Sequence, residues 1–457
     1  MNDLLLELKS LLGETGVLEG EGASEAARSN WSRLGTPLAV LKPASTAQIS
    51  RVMGLCHESN QPVVAWGGKT GLVEGARADG AFALSLERMN RIQEVDTAGG
   101  TMTVEAGCIL QNVAEAADAH GLFFPLDLGA RGSATIGGNI STNAGGNRVI
   151  RYGMTREMVL GLEAVLADGT VVTSLNRLIK NNAGYDLKQL FIGSEGTLGI
   201  VTRAVLRLRP KAKSTAVALA AVDEFAALPR LLRHVESALG GCLSAFEVMW
   251  EDFYRLVTTP PAKGRAPLGY GHPYYVLVEQ LGSEEKDDAP RFERVLGEAL
   301  EAGTIVDAVI AKSHAERNEI WSLRDDVAQC ARNWPIFTFD VSLPIGEMEA
   351  YVTQVRSALA ARWPGRATAM IFGHLGDGNL HLIIGVGDAE ARHAVEDVVY
   401  GALEGRSGSV SAEHGIGLEK RRYLPLSRSA SEIEIMRQLK RALDPRGILN
   451  PGKIFEF

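Results

Sequence analysis

Glycine in this chain is gathered into short runs, and that restricts the backbone more than any other feature. The densest runs are WGGKTG (Trp66–Gly71), GARGSATIGGNISTNAGGN (Gly129–Asn147), GSEGTLGIVT (Gly193–Thr202) and FGHLGDGNLHL (Phe372–Leu382). The total, 50 glycines in 457 residues, exceeds the usual share of about 7%. Runs of this kind mark places where the chain turns tightly or approaches a ligand closely. The first run follows an apolar strand, Val63–Trp66. A phosphate loop would need glycine where Val63 stands, and GxGxxG is absent, so a nicotinamide-type Rossmann domain has no support. Two readings remain for Trp66–Gly71, an anion-binding nest of amides or an ordinary tight turn. The second run holds six glycines among hydroxyls and amides, with only Ile136 and Ile140 as large apolar side chains. It is either a linker or a mould around a long polar ligand; flanking strands and the lack of proline favour the mould. Three such runs suit a dinucleotide.

The fourth run carries a geometric argument. Asp377-Gly378 is a strong hairpin signal. A two- or four-residue loop there sets His374 opposite His381 on one sheet face, Cβ atoms about 4.5–5.5 Å apart. Two imidazoles so placed can share a divalent metal; a surface hairpin with a chance pair is the alternative. Only 9 histidines occur in the chain, which makes chance a poor explanation. Glu413 and His414 in SAEHGIG offer further ligands. Neighbours on an extended strand point to opposite faces, so both serve one site only if the following glycines bend the chain. Arg324 lies on a helix, where such a residue is ordinarily a solvated or salt-bridged surface residue. On the strand Ile336–Leu343, Thr338, Asp340 and Ser342 share a face opposite Phe337, Phe339 and Val341, which implies a wet cavity or an exposed sheet face.

From Pro37 to about Leu208 short strands alternate with glycine turns, and only Ser45–Ser59 and Leu110–His120 look helical. After Arg209-Pro210, strands (Ala216–Val222, Tyr274–Gln280, Thr304–Ile310, Ile336–Leu343, Ala369–His374, His381–Val386) alternate with amphipathic helices, Ala289–Ala302 and Ser313–Arg332 among them. The pattern predicts an α+β fold with helices on one face of the sheet. A capping box at Ser431 and Glu434 opens the last helix, and Asp444-Pro445 stops it. The expected divisions are 1–211, 212–425 and 426–457. With 47 basic against 55 acidic residues, net −8, the chain lacks the basic footprint of a nucleic-acid protein. No apolar run approaches the ~18 residues of a membrane span. Cys56, Cys108, Cys242 and Cys330 lie far apart, without CxxC. A soluble, cytoplasmic, reduced-compartment protein is expected.

WGGKTGLVEG, PLDLGARGSATIGGNISTNAGG, NNAGYDLKQLFIGSEGTLGIVT, GHLGDGNLHL, AEHGIG and LDPRGILNPGKIF, in that order, resemble the FAD-dependent 2-hydroxyacid dehydrogenases of the vanillyl-alcohol-oxidase superfamily, from about residue 35 onward. The resemblance implies a PCMH-type FAD-binding domain, a substrate domain with an antiparallel sheet covered by helices, and a C-terminal helical segment returning to the flavin. It implies FAD held by Gly67, Gly68, Lys69, Thr70, Gly71 and Leu72; by Asp127, Gly129, Ser133, Thr135, Gly137, Gly138, Ser141, Asn143, Gly145 and Gly146; and by Glu195, Gly199 and Ile200, with Asn450 near the isoalloxazine. A divalent metal, commonly zinc, would sit on His374, His381 and Glu413. His414 would be the base, and Arg324, Thr338 and Asp340 would meet the substrate. The FAD should be noncovalent, because no histidine or cysteine occurs in Val63–Gly75 or Asp127–Ser141.

Three positions depart from the hydroxyglutarate-type members. Thr338 stands where they have lysine, Ile383 where they have asparagine and Ala328 where they have threonine. Each change removes a polar contact to a second carboxylate, so D-lactate or an apolar D-2-hydroxy acid is the expected substrate, with D-2-hydroxyglutarate as the alternative. A glycolate-oxidase-type subunit, an oxygen-using oxidase and a non-catalytic electron-transfer subunit stay open. The electron acceptor (electron-transfer flavoprotein, quinone or cytochrome) is unnamed by the sequence, and a homodimer is left open.

Overall fold

A computed structural model describes residues 2–457. The chain forms two compact units. One comprises the chain up to Gly146, Gly153–Lys211 and Glu413–Phe457; the other comprises Asn147–Tyr152 and Ala212–Ala412. Among the described residues no helix is long and apolar enough to cross a membrane.

The first unit holds a four-stranded sheet, a five-stranded sheet and a two-stranded ladder, Leu122–Phe123 with Arg209–Pro210. The four-stranded one runs Val17–Leu18, Ala39–Leu41, Phe82–Ser85, Val63–Trp66. Its last three strands are mutually parallel, and Val17–Leu18 is antiparallel to Ala39–Leu41. Parallel strands are buried on both faces and read as continuous apolar runs, and Phe82–Ser85 is buried throughout. The five-stranded sheet is antiparallel: Ile92–Asp96, Thr101–Glu105, Ile200–Arg207, Val159–Val165, Val171–Ser174. Asp168-Gly169 turns its last hairpin, with Gly169 left-handed at φ 88°. The helices Thr46–Glu58 and Leu110–Ala119 form as expected. Four short ones were not foreseen: Gly20–Ala26, Thr155–Met158, Lys188–Phe191, and Ile136–Thr142 inside the second glycine run.

The second unit is built on seven antiparallel strands in the order Asp307–Ile310, Ser214–Val222, Tyr274–Gly282, Leu243–Trp250, Thr368–Gly373, Asn379–Gly385, Ile336–Ser342. The first four strands follow a split β-α-β plan. Their crossover helices, Ala227–Ala238 and Glu285–Glu301, pack on each other, and His234 Nε2 lies 3.0 Å from the Val295 carbonyl. The other face is covered too. Phe253, Tyr254 and Val257 of the helix Glu251–Thr258, with Ile320 and Leu323 of His314–Asp325, pack on Val217, Leu219, Leu277, Met249 and Phe372. Helices therefore lie on both faces, not one, because Leu243–Trp250 and Tyr274–Gly282 are buried along their whole length.

Three further expectations shift. The Ser313–Arg332 helix ends at Asp325 and continues as a 3-10 turn, Val327–Asn333. The capping box is Ser429 and Glu432, two residues earlier than expected: Ser429 Oγ accepts from the Glu432 amide and the Glu432 carboxylate accepts from the Ser429 amide. The stretch from Glu413 to 425 belongs with the first unit. The amides of Ile416 and Gly417 donate to the Glu195 carboxylate at 2.7 and 2.8 Å, and Leu418 N donates to the Val73 carbonyl.

Candidate functional site

In the first unit the glycine runs converge on one another. A Cβ on Gly67 would come 2.5 Å from Thr135 Oγ1, one on Gly68 2.0 Å from the Ser133 carbonyl, and one on Gly146 2.1 Å from the Asp127 carbonyl. Only glycine permits these approaches. The third run joins through Glu195 N, which donates to the Ser141 carbonyl at 2.7 Å. Asn450 completes the set: its Nδ2 donates to the Glu195 carbonyl at 2.6 Å, and its Oδ1 accepts from Ala65 N at 2.9 Å. Lys69, Asn143, Glu195 and Asn450 are all left-handed, with φ between 41° and 56°. Strained backbone of this kind gathers at ligand clamps. Thr135 Oγ1 and Asn139 Oδ1 are buried with no hydrogen-bond partner. Orphaned polar atoms beside backbone-only walls fit a polar ligand of dinucleotide size. Burial pushes the Glu195 carboxyl above its ordinary range, against the pull of the two amides it accepts from.

Glu413 lies in the same unit, its carboxylate pressed on Gly145, where a Cβ would come 2.7 Å from Oε1. His414 follows it and is half-buried. Their predecessor Ala412, the last residue of the second unit, donates its amide to Asp340 Oδ2 at 3.1 Å.

The second unit's site is made of side chains on one sheet face and of Arg324 from the helix His314–Asp325. Phe372, not His374, lies opposite His381, and Asp340 flanks His381 on its other side. The expected register of 374 against 381 is therefore wrong by two residues. The reason is the turn. Leu375 is fully buried, and Gly376 is so tight that a Cβ would meet Ile150 Cδ1 at 2.7 Å. A 3-10 turn, Leu375–Asp377, closing on left-handed Gly378 replaces the two-residue turn, and the His374 carbonyl accepts from both Asp377 N and Asn379 N. A shift of two keeps the face, so the imidazoles still meet. Their ring centroids are 5.3 Å apart, edge to face, and a ring nitrogen of each lies within 4.8 Å of the other's.

Arg324 is not a solvated helix residue. It is 5% exposed and sits 4.9 Å over the Phe372 ring. Its Nε donates to Glu247 Oε2 at 2.8 Å, and its Nη2 lies 3.3 Å from His374 Nε2. Glu247 Oε1 is 2.7 Å from His374 Nδ1. Burial pushes the Glu247 carboxyl up, but the charges of His374 and Arg324 and the hydrogen bonds from both outweigh it, holding it below the ordinary range. Asp340 is fully buried and accepts from Asn379 Nδ2 at 2.6 Å. Thr338 and Ala328 are exposed, whereas Ile383 is buried with Leu323, Cys330 and Phe372. Glu247 is the residue that sequence reasoning missed. Its signal was a lone carboxylate inside the apolar run LSAFEVMW, where a buried charge demands a partner.

Two family models match the chain: FAD binding domain over residues 37–174, and FAD linked oxidases, C-terminal domain, over 211–454. The chain is 39% identical over 452 residues to D-2-hydroxyglutarate dehydrogenase, mitochondrial, of Arabidopsis thaliana, covering 98% of this chain and 80% of that one. It is 40% identical over 437 residues to D-2-hydroxyglutarate dehydrogenase of Xanthomonas citri pv. viticola, covering 93% and 91%. Among solved structures, p-cresol methylhydroxylase with substrate bound shares the fold. The TM-score is 0.78 at 16% identity, covering 100% of this chain and 97% of the other.

Proposed function

The chain belongs to the FAD-linked oxidases, and on that premise we propose that it oxidises a D-2-hydroxy acid to the 2-keto acid. The observation that carries the reading is a buried quartet, Glu247, His374 and His381 on one sheet face with Arg324 reaching them from the helix His314–Asp325. FAD, when bound, takes the C2 hydrogen as hydride, and a divalent metal, when bound, acidifies the C2 hydroxyl. His374, His381 and Glu413 would hold that metal, and two imidazoles with one carboxylate suit zinc with an open position. Arg324, its Nε fixed by Glu247, presents its remaining donors to the C1 carboxylate. His414 takes the hydroxyl proton, so substrate loses one hydride and one proton. The FAD is held noncovalently, and acid precipitation should leave its yellow colour in the supernatant.

The substrate side chain is uncharged in this reading. Thr338 offers no charge, and Ile383 turns its part of the face over to the core. D-Lactate or a larger apolar acid fits best. The names of the relatives favour a second reading, D-2-hydroxyglutarate. The purified protein should be yellow and should bleach anaerobically with a D-2-hydroxy acid but not with its L-isomer. A colourless protein that cannot be reconstituted with FAD would end this proposal. Peroxide release under air would mark an oxidase rather than a dehydrogenase that needs a separate acceptor.

A further inference from the structure

Glu247 is 1% exposed and is the one charged residue of a strand buried from end to end, whose other polar member is Ser244. A lone carboxylate in that setting is costly unless both oxygens are matched. Here each oxygen has its own partner. Oε1 faces His374 Nδ1 at 2.7 Å, and Oε2 accepts from Arg324 Nε at 2.8 Å. The two partners come from different elements, the end of Thr368–Gly373 and the helix His314–Asp325, and would otherwise be positioned independently. An imidazole that donates from Nδ1 to a carboxylate keeps its lone pair on Nε2, the tautomer a metal requires.

We propose that Glu247 is the positioning residue of this site: its two oxygens fix the His374 tautomer that keeps the lone pair on Nε2, where a divalent cation would take it in place of the Arg324 Nη2 contact at 3.3 Å, and, at once, the guanidinium plane of Arg324 that meets the substrate carboxylate. The first half rests on the metal reading given above; the second does not. A purely structural role, neutralising one buried arginine, would need only one of the two contacts.

Glutamine separates these roles. A carboxamide has one acceptor oxygen and one donor nitrogen, so it cannot accept from both partners as the carboxylate does. Turned with its NH2 toward His374, it forces the proton onto Nε2; turned the other way, it sets NH2 against Arg324 N–H. In Glu247→Gln the affinity of the chelator-stripped, FAD-loaded protein for Zn(II), read by titration calorimetry, should fall about 10- to 100-fold. KM for the hydroxy acid should rise about tenfold or more through Arg324. Glu247→Asp keeps two acceptor oxygens and should recover most of both losses, and it decides the matter if the glutamine variant does not fold. If wild type takes up Zn(II) and both variants bind it as tightly, with KM unchanged, the positioning role is overturned. If wild type itself takes up no Zn(II), the metal reading fails, and the KM rise with rescue by aspartate remains the test of the Arg324 half.

Discussion

The two units build their sites from different materials. The first uses backbone. All seven left-handed non-glycine positions among the described residues lie in it, and its cradle walls are glycines that no side chain could replace. The second uses side chains on a regular antiparallel sheet, with none of those strained positions among its described residues. Its polar members are buried charges whose partners are also buried. The contrast follows from what each must hold. A long ligand with many acceptors is met by amides and small residues that approach closely. A small acid, with the cation proposed for it, would be met by a few directed charges whose placement depends on strand register.

The largest effect that tests this contrast is expected from the second unit. His381→Ala, or removal of the metal by a chelator, should lower kcat/KM by about a thousandfold or more, since a Lewis acid supplies several kcal/mol. The flavin absorbance should stay unchanged. An active, metal-free variant would reduce the hairpin to a structural feature. The converse is Gly68→Ala, whose Cβ would stand 2.0 Å from the Ser133 carbonyl. Overpacking of ~1–3 kcal/mol predicts an FAD affinity about 5- to 150-fold weaker, measured by flavin fluorescence on release. The zinc affinity of Gly68→Ala should match wild type; a loss of both would mean the two sites are not separable.

A third effect concerns charge. Lys453, in the first unit, has its amine pushed down to about 8, first by burial and then by Arg77 and Arg421. In the unfolded chain such an amine titrates near 10.4. Between about pH 8 and 10.4 the unfolded state therefore binds more protons, and stability rises with pH. The relief is about 3 kcal/mol across that window, at ~1.36 kcal/mol per unit. Urea midpoints of wild type and Lys453→Met should accordingly converge between pH 7.5 and pH 10. A gap that ignores pH would show that burial of this amine costs little.

The smallest effect is the substrate preference. Side-by-side kcat/KM for D-lactate, D-2-hydroxybutyrate, D-malate and D-2-hydroxyglutarate should favour the uncharged side chains by roughly tenfold, because a lost charge-assisted contact costs about 1.5–3 kcal/mol. Thr338→Lys should narrow that gap. If hydroxyglutarate leads by tenfold in the unaltered protein, the three departures at 328, 338 and 383 were misread and the relatives' names were the better guide.

The contrast also decides what could be read from sequence. A backbone-built site announces itself, because glycines gather where the chain must approach something, and the first three runs do converge. The pairing of His374 with His381 was legible as a shared face, since face follows from parity alone. Their register was not, because it hung on whether Leu375 buries, a tertiary matter. Arg324 looked like a surface residue until Glu247 was placed, and Glu247 sat on a strand, Leu243–Trp250, that went unread despite the Gly240-Gly241 turn before it. The division at Ala412 was invisible as well. It depends on Glu195 accepting from amides more than two hundred residues further along.

The strand Val63–Trp66 has one edge completed from far along the chain. Val63 N donates to the Ile448 carbonyl, Asn450 N donates to the Val63 carbonyl, and Ala65 N donates to Asn450 Oδ1. During synthesis that edge waits, unpaired, while everything between is translated. At about 5–20 residues per second the wait lasts roughly twenty to eighty seconds. The strands of the second unit, Ser214 to Gly385, all emerge inside that interval, so the half of the protein made first is the half that finishes last. An open strand edge beside a glycine-rich loop is a template for wrong pairing, which makes the nascent chain, rather than the finished enzyme, the form most exposed to aggregation.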